Sequence, residues 1–285
     1  MSQTIANPSS LSDTEERIVE AIGIDEPWAL LEEFSQLERV SGSEDERAAA
    51  DYITGRLDSF GVNYDRFEPE LYISQPRDAT IRTLNKTFEP GIVKTVGFSA
   101  SGTVSGEVEY VGTASDDLVD EGEVDAREPF QDVGDLDGKI ALVDGGSFSI
   151  GATTVLEEKG AEGVIAMHQH RREPHDGIAT PVWGGAPPLD EKDRVPDIHI
   201  VNVTRPDGEI LKEWAESDTG LEVELETDVR TDWMECPIVV ADIEGGADPD
   251  QDEFVLLHAH YDSWYVGITD NATGDAGMLE LARVF

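Results

Sequence analysis

The residues best suited to chemistry lie close together near the C-terminus. His260 and Asp262 stand two apart in His258-Ala259-His260-Tyr261-Asp262, and Asp270-Asn271 begins eight residues after Asp262. Imidazole and carboxylate are the ligand types that a catalytic zinc takes. A carboxylate two residues from a histidine can accept the ring's other N–H and fix its tautomer, as metal-bound histidines usually require. His260 and Asp270 are therefore candidate metal ligands, with Asp262 orienting His260. By itself the set is weak evidence, because acids occur throughout this chain and a solvated acidic loop would look the same.

The flanking elements decide how such residues would be presented. Residues 254–257, Phe-Val-Leu-Leu, form a continuous apolar run ending at His258, and residues 238–241, Ile-Val-Val-Ala, form another. Runs of this kind suit interior strands covered on both faces. After Gly274, Met278, Leu281, Ala282 and Phe285 fall at i, i+3, i+4 and i+7, one apolar helix face. The candidate ligands then sit on loops at the carboxyl end of a strand and just before a helix, the edge where open α/β sheets bind ligands. On this reading His258 packs in the core and Glu280 faces solvent.

Further elements are legible upstream. Ser43 and Glu46 make a capping box, Ala49, Ile53, Leu57 and Phe60 share a helical face, and Gly61 takes the C′ position. An earlier helix carries Leu30, Phe34 and Leu37, and residues 62–76 read as extended. In the middle of the chain, Val104, Gly106, Val108 and Tyr110 alternate as in a strand, and residues 115–135 are an acidic loop. Buried strands are expected at 140–144 and 163–167, a short helix at 153–159, and strands at 198–203 and 221–227. That pattern predicts a small mixed α/β unit inserted into a larger one.

Composition narrows the function classes. The 62 acidic and 20 basic residues give a net charge of −42, and only six of the basic residues are lysine. Such self-repulsion opposes a compact state at low salt, and a screening length of about 3 Å at molar salt removes most of it. Acids spread along the whole chain point to a salt-adapted, halophilic surface and away from nucleic acid. With 39% hydrophobic residues the chain can build a core. One cysteine, Cys236, excludes an internal disulfide framework. No signal peptide or membrane-length apolar run is visible, so a cytoplasmic protein without a membrane partner is expected. His168, His170 and His175 form a second local cluster, but Arg171 and Arg172 beside them would repel a cation. The glycines at 145, 146, 184 and 185 lack phosphate-loop spacing, and no serine sits in a Gly-x-Ser-x-Gly elbow.

Taken as a string, His260-Tyr261-Asp262-Ser263, then Thr269-Asp270-Asn271-Ala272-Thr273-Gly274 and an apolar helix, resembles the first metal-binding block of the M28 zinc exopeptidases. The helix over 44–60 followed by Gly61-Val62 is similar to the way that family begins. Within residues 92–230, Val108 to Gly112, Leu136 to Val143 and Lys159 to Ile165 resemble the protease-associated (PA) domain. The resemblance implies a zinc-exopeptidase α/β fold of the phosphorylase/hydrolase-like type, with a mixed sheet and a small α/β insert. The peptidase domain would occupy 1–91 and 233–285, and the PA-like insert 92–232.

The same resemblance implies a site with two zinc ions. His260 would bind one zinc, Asp270 would bridge both, Asp262 would count with the catalytic residues by orienting His260, and Asn271 would shape the loop that presents Asp270. The substrate would be a peptide or aminoacyl amide. The family's general-base glutamate and three further ligands lie beyond this first helix, so a C-terminally truncated domain is expected, whose partner would be its own missing part. Two alternatives stay open: a non-catalytic remnant whose PA-like module binds peptides or partners, and an amidohydrolase or cyclase of the same fold.

Overall fold

The computed structural model describes residues 11–113, 128–145, 150–168, 172–179, 195, 197–245 and 254–285. They divide into two compact units, Met1–Ile73 with Trp233–Phe285, and Ser74–Asp232. The passage into the second unit comes at Ser74, earlier than residue 92, where the insert is expected to begin. The cause is a single long strand, β2 (Glu70–Thr83), which runs through the border.

The first unit is built on helices. They are α1 (Asp13–Ala21), α2 (Asp25–Phe34), α3 (Glu44–Phe60) and α6 (Thr273–Val284). α3 begins as its sequence predicts, with the Ser43 hydroxyl accepting from the Glu46 N–H at 3.0 Å. The reciprocal half of the capping box is not made, because the Glu46 carboxylate takes the Gly42 N–H instead, at 2.7 Å. Gly61 closes the helix in the left-handed region. Leu30 and Phe34 of α2, Ala49 and Leu57 of α3, and Ala272, Ala276 and Leu279 at α6 form one apolar cluster.

Five expectations fail in this unit. β9 (Ile238–Ala241) is not an interior strand: it pairs antiparallel with β1 (Tyr64–Phe67), with Ile238 and Val240 exposed. Residues 254–257 form no strand, and Phe254 and Val255 are 83% and 89% exposed. His258 lies exposed on the same segment rather than packed in a core. An apolar run becomes a strand only where a neighbour supplies its ladder, and β9 finds only β1 among the described residues. The buried side of α6 is also turned from the predicted one. It runs through Asp275, Ala276, Leu279 and Glu280, while Phe285 is exposed. Glu280, expected on the solvent face, is buried and accepts from the Gly23 N–H at 2.6 Å and from Arg283.

The second unit is a seven-stranded mixed sheet in the order β2-β8-β4-β5-β6-β7-β3. Its strands after β2 are β3 (Val93–Thr95), β4 (Gly102–Thr113), β5 (Lys139–Asp144), β6 (Gly163–Met167), β7 (His199–Val203) and β8 (Glu222–Glu235). β4 through β7 are parallel, and β8 and β3 join antiparallel. Ala141 and Val143 of β5 pack with α4 (Ile150–Glu158), while Ile140 and Leu142 pack with α5 (Arg205–Ala215). Both faces are thus covered, which is why β5 and β6 read as unbroken apolar runs. The expected acidic loop holds one surprise, since Phe130 on a short turn over Glu128–Phe130 is fully buried. Residues 114–127, and His170, Gly146, Gly184 and Gly185, lie outside the described residues.

Candidate functional site

The site belongs to the first unit and begins with the connection between α2 and α3. Arg39, fully buried there, lays its guanidinium over the Phe34 ring at 4.5 Å. Its nitrogens donate to the carbonyls of Tyr261 (2.6 Å), Val266 (2.9 Å) and Gly267 (3.2 Å), and to that of Phe34 (3.0 Å). The Arg39 carbonyl in turn accepts from the Ser263 N–H at 2.8 Å. Residues 261–267, which separate the two candidate ligands, are therefore tied at both ends to one side chain. Burial pulls the arginine's pKa down, and the charges of Asp275, Asp262 and Asp45 act the other way.

At one end of that loop stands His260. Its Nδ1 lies 3.2 Å from Asp262 Oδ1 and 3.1 Å from the Asp262 carbonyl. Its Nε2 lies 3.0 Å from Asp270 Oδ1. Burial alone would lower the imidazole pKa, but the two aspartates together raise it. The His260 side chain is 54% exposed and that of Asp270 86%, so both are open to an incoming ion.

Asp270 is presented by an irregular turn over residues 268–272, whose Asp270–Asn271 peptide is cis. The Asn271 amide lies against Gly274, where an added Cβ would come within 2.5 Å of Asn271 Oδ1. Glycine at the start of α6 thus makes room for the Asn271 side chain.

Behind the exposed pair lies a layer of buried acids. Glu46 and Asp275 are each pushed up to about 7 by burial. Asp275 Oδ2 has no hydrogen-bond partner among the described residues. Cys236, 4% exposed, is pushed up to about 11 by burial and by the neighbouring Glu46 charge. The Tyr261 hydroxyl donates to the Pro237 carbonyl, and burial raises its pKa as well. Sequence reasoning missed Arg39, Ser41, Glu46 and Asp275 as parts of this site. Only Asp275 left a signal, as one of the i, i+3/i+4, i+7 series with Ala272, Ala276 and Leu279.

The donors at the surface suit zinc in kind and in spacing. Zinc–nitrogen and zinc–oxygen bonds of about 2.0–2.2 Å place two ligands of a tetrahedral centre about 3.4 Å apart. His260 Nε2 and Asp270 Oδ1, at 3.0 Å, would need to part only slightly to admit the ion. They are a partial set, because among the described residues no group of three or more histidine, cysteine, aspartate or glutamate side chains could hold a metal. Of the second histidine cluster, His168 is buried at the end of β6 and His175 lies beside the Asp176 carbonyl, and among the described residues neither joins such a group. No described helix is long and apolar enough to cross a membrane.

Known structures share this fold. An aminopeptidase from Aneurinibacillus sp. strain AM-1 superposes with a TM-score of 0.66 at 21% identity, over 95% of this chain and 60% of that one. A peptidase M28 precursor from Shewanella amazonensis SB2B gives 0.69 at 22%, over 93% and 61%. The zinc aminopeptidase BSAP from Bacillus subtilis gives 0.66 at 20%, over 90% and 57%. The chain thus spans about three-fifths of the length of these proteins. A comparison with curated proteins gave no match. At the level of sequence, residues 239–285, the stretch that carries His260, Asp262 and Asp270, match the model of peptidase family M28.

Proposed function

We propose that this chain carries part of the active site of a zinc-dependent aminopeptidase-type hydrolase acting on peptides or aminoacyl amides. One observation carries the reading. His260 Nε2 and Asp270 Oδ1 converge within 3.0 Å at an open surface, while Asp262 occupies the ring's other nitrogen. The match of residues 239–285 to the M28 family supports it. When bound, zinc supplies a Lewis acid and a water of lowered pKa. The chain's own part is to keep the proton of the His260 ring on Nδ1, to turn the Nε2 lone pair outward, and to hold the Asp270 carboxylate beside it. The second unit, on this reading, is a PA-type insert without catalytic residues.

A second reading, a non-catalytic peptide-binding protein of the same fold, is favoured by the absence of a third donor among the described residues. Zinc titration of the whole chain in molar KCl, followed by hydrolysis of aminoacyl amides, separates the two. Zinc should bind, and His260→Ala and Asp270→Ala should each weaken it about 10- to 100-fold or more. Zinc-dependent hydrolysis lost in His260→Ala establishes the enzyme. Binding without hydrolysis favours the second reading, and binding that ignores both substitutions sinks the metal site.

A further inference from the structure

We propose that Ser41 is a positioning residue: through Asp262 it fixes the tautomer and orientation of His260. The inference rests on reading His260 and Asp270 as metal ligands, and deepens that reading by adding a residue outside the 239–285 stretch. The Ser41 hydroxyl donates to Asp262 Oδ2 at 2.6 Å. The other carboxylate oxygen, Oδ1, is the one that faces His260 Nδ1 at 3.2 Å. Each oxygen of Asp262 therefore has its own partner, and the carboxylate cannot rotate away from the ring without breaking a charge-assisted hydrogen bond. Nδ1 meets two acceptors, Asp262 Oδ1 and the Asp262 carbonyl, whereas Nε2 meets one, on the exposed Asp270 side chain, so the single proton of the neutral ring favours Nδ1. The lone pair is then left on Nε2, the nitrogen turned towards Asp270.

The backbone around Ser41 is set for this task. Gly42, next in the chain, has φ of +77°, and a Cβ there would come within 2.8 Å of Met234. Its N–H is taken by Glu46 Oε2 at 2.7 Å. On the other side, the Arg39 carbonyl accepts from the Ser263 N–H at 2.8 Å, which holds the backbone beside Asp262 in register with Ser41. The chain of contacts runs from Ser41 through Asp262 to the His260 ring.

Nitrogen NMR of the His260 ring and zinc titration, both on the whole chain in molar KCl, test the proposal with Ser41→Ala and Ser41→Thr. In the unsubstituted protein the neutral ring should carry its proton on Nδ1. Ser41→Ala should give a mixture of tautomers and weaken zinc binding about 10- to 100-fold. Ser41→Thr, which keeps the hydroxyl, should restore both. The proposal is overturned if Ser41→Ala keeps the parent tautomer and zinc affinity within about twofold, or if threonine restores nothing. If His260→Ala binds zinc as the parent does, the metal reading fails. A Ser41-dependent tautomer would even then uphold the positioning role.

Discussion

In the sheet unit, β5 gives Ala141 and Val143 to one apolar cluster and Ile140 and Leu142 to the other. In the unit that carries His260, the interior takes in a guanidinium, Arg39, and three carboxyl groups, those of Glu46, Asp275 and Glu280. Among the described residues of the sheet unit, no aspartate, glutamate, lysine or arginine is buried. The sheet interior buries neutral polar groups such as Thr95 and Ser99 but rests chiefly on apolar area, which is non-directional. The other depends on hydrogen bonds of fixed direction, and those bonds hold the loop between His260 and Asp270. Burying charge is costly unless it is paired or hydrogen-bonded, so the difference marks the unit where geometry has been favoured over stability.

Five substitutions would break or sharpen that contrast, from the largest expected effect to the smallest. Arg39→Met should leave the carbonyls of Tyr261, Val266 and Gly267 unpaired and destabilise the first unit by about 3–5 kcal/mol. Hydrogen exchange should then show residues 261–267 opening while β5 and β6 stay protected. Equal loss of protection in both units would mean that they do not unfold separately. Leu142→Ala, at a fully buried site, should cost about 2–5 kcal/mol by urea unfolding, with protection lost in the sheet and kept around His260.

Asp275→Asn should act in the opposite sense. A carboxyl whose folded pKa is raised from 3.8 to about 7 supports the fold below the unfolded value and withdraws that support as pH rises through the folded one. Stability of the first unit should therefore fall between pH 4 and pH 7 in the parent. In Asp275→Asn it should fall less, leaving the variant more stable at pH 8 by on the order of 2–4 kcal/mol. Thermal melts across that range decide it, and a variant less stable at pH 8 would show that the ionised carboxylate is held by Arg39 after all. The smallest effects should be matched. Ser43→Ala at the N-cap of α3 and Thr204→Ala at that of α5 should each cost about 1 kcal/mol, because capping is local and indifferent to the kind of core behind it.

The contrast also explains what could be read from the sequence. β5, β6 and the helix over Glu44–Phe60 were legible because their patterns match the surroundings they meet, apolar on both faces or along one stripe. Residues 238–241 and 254–257 carry the same apolar signal and do not form interior strands. Periodicity says that a stretch favours burial, but not which neighbour will cover it. α5 was missed although Thr204 caps it and Pro206 stands in its first turn, both usable start signals. At the site, His260, Asp262, Asp270 and Asn271 stand within one short stretch and could be picked out by residue type. Arg39 and Ser41 lie more than two hundred residues away in sequence from the groups they hold. Nothing in their local pattern announces the contact, which exists only once α2, α3 and α6 have packed.

The single thiol has a practical consequence. Alkylating reagents attack the thiolate and need access to it, and Cys236 is both buried and pushed up to about 11. In the closed protein it should be silent. Its rate of labelling in mild denaturant then becomes a clock for the excursions that bare it, which are those of the first unit. With no other cysteine to contribute background, the chain carries its own reporter of how often the housing of His260 comes apart, and every variant above can be timed by it without adding a probe.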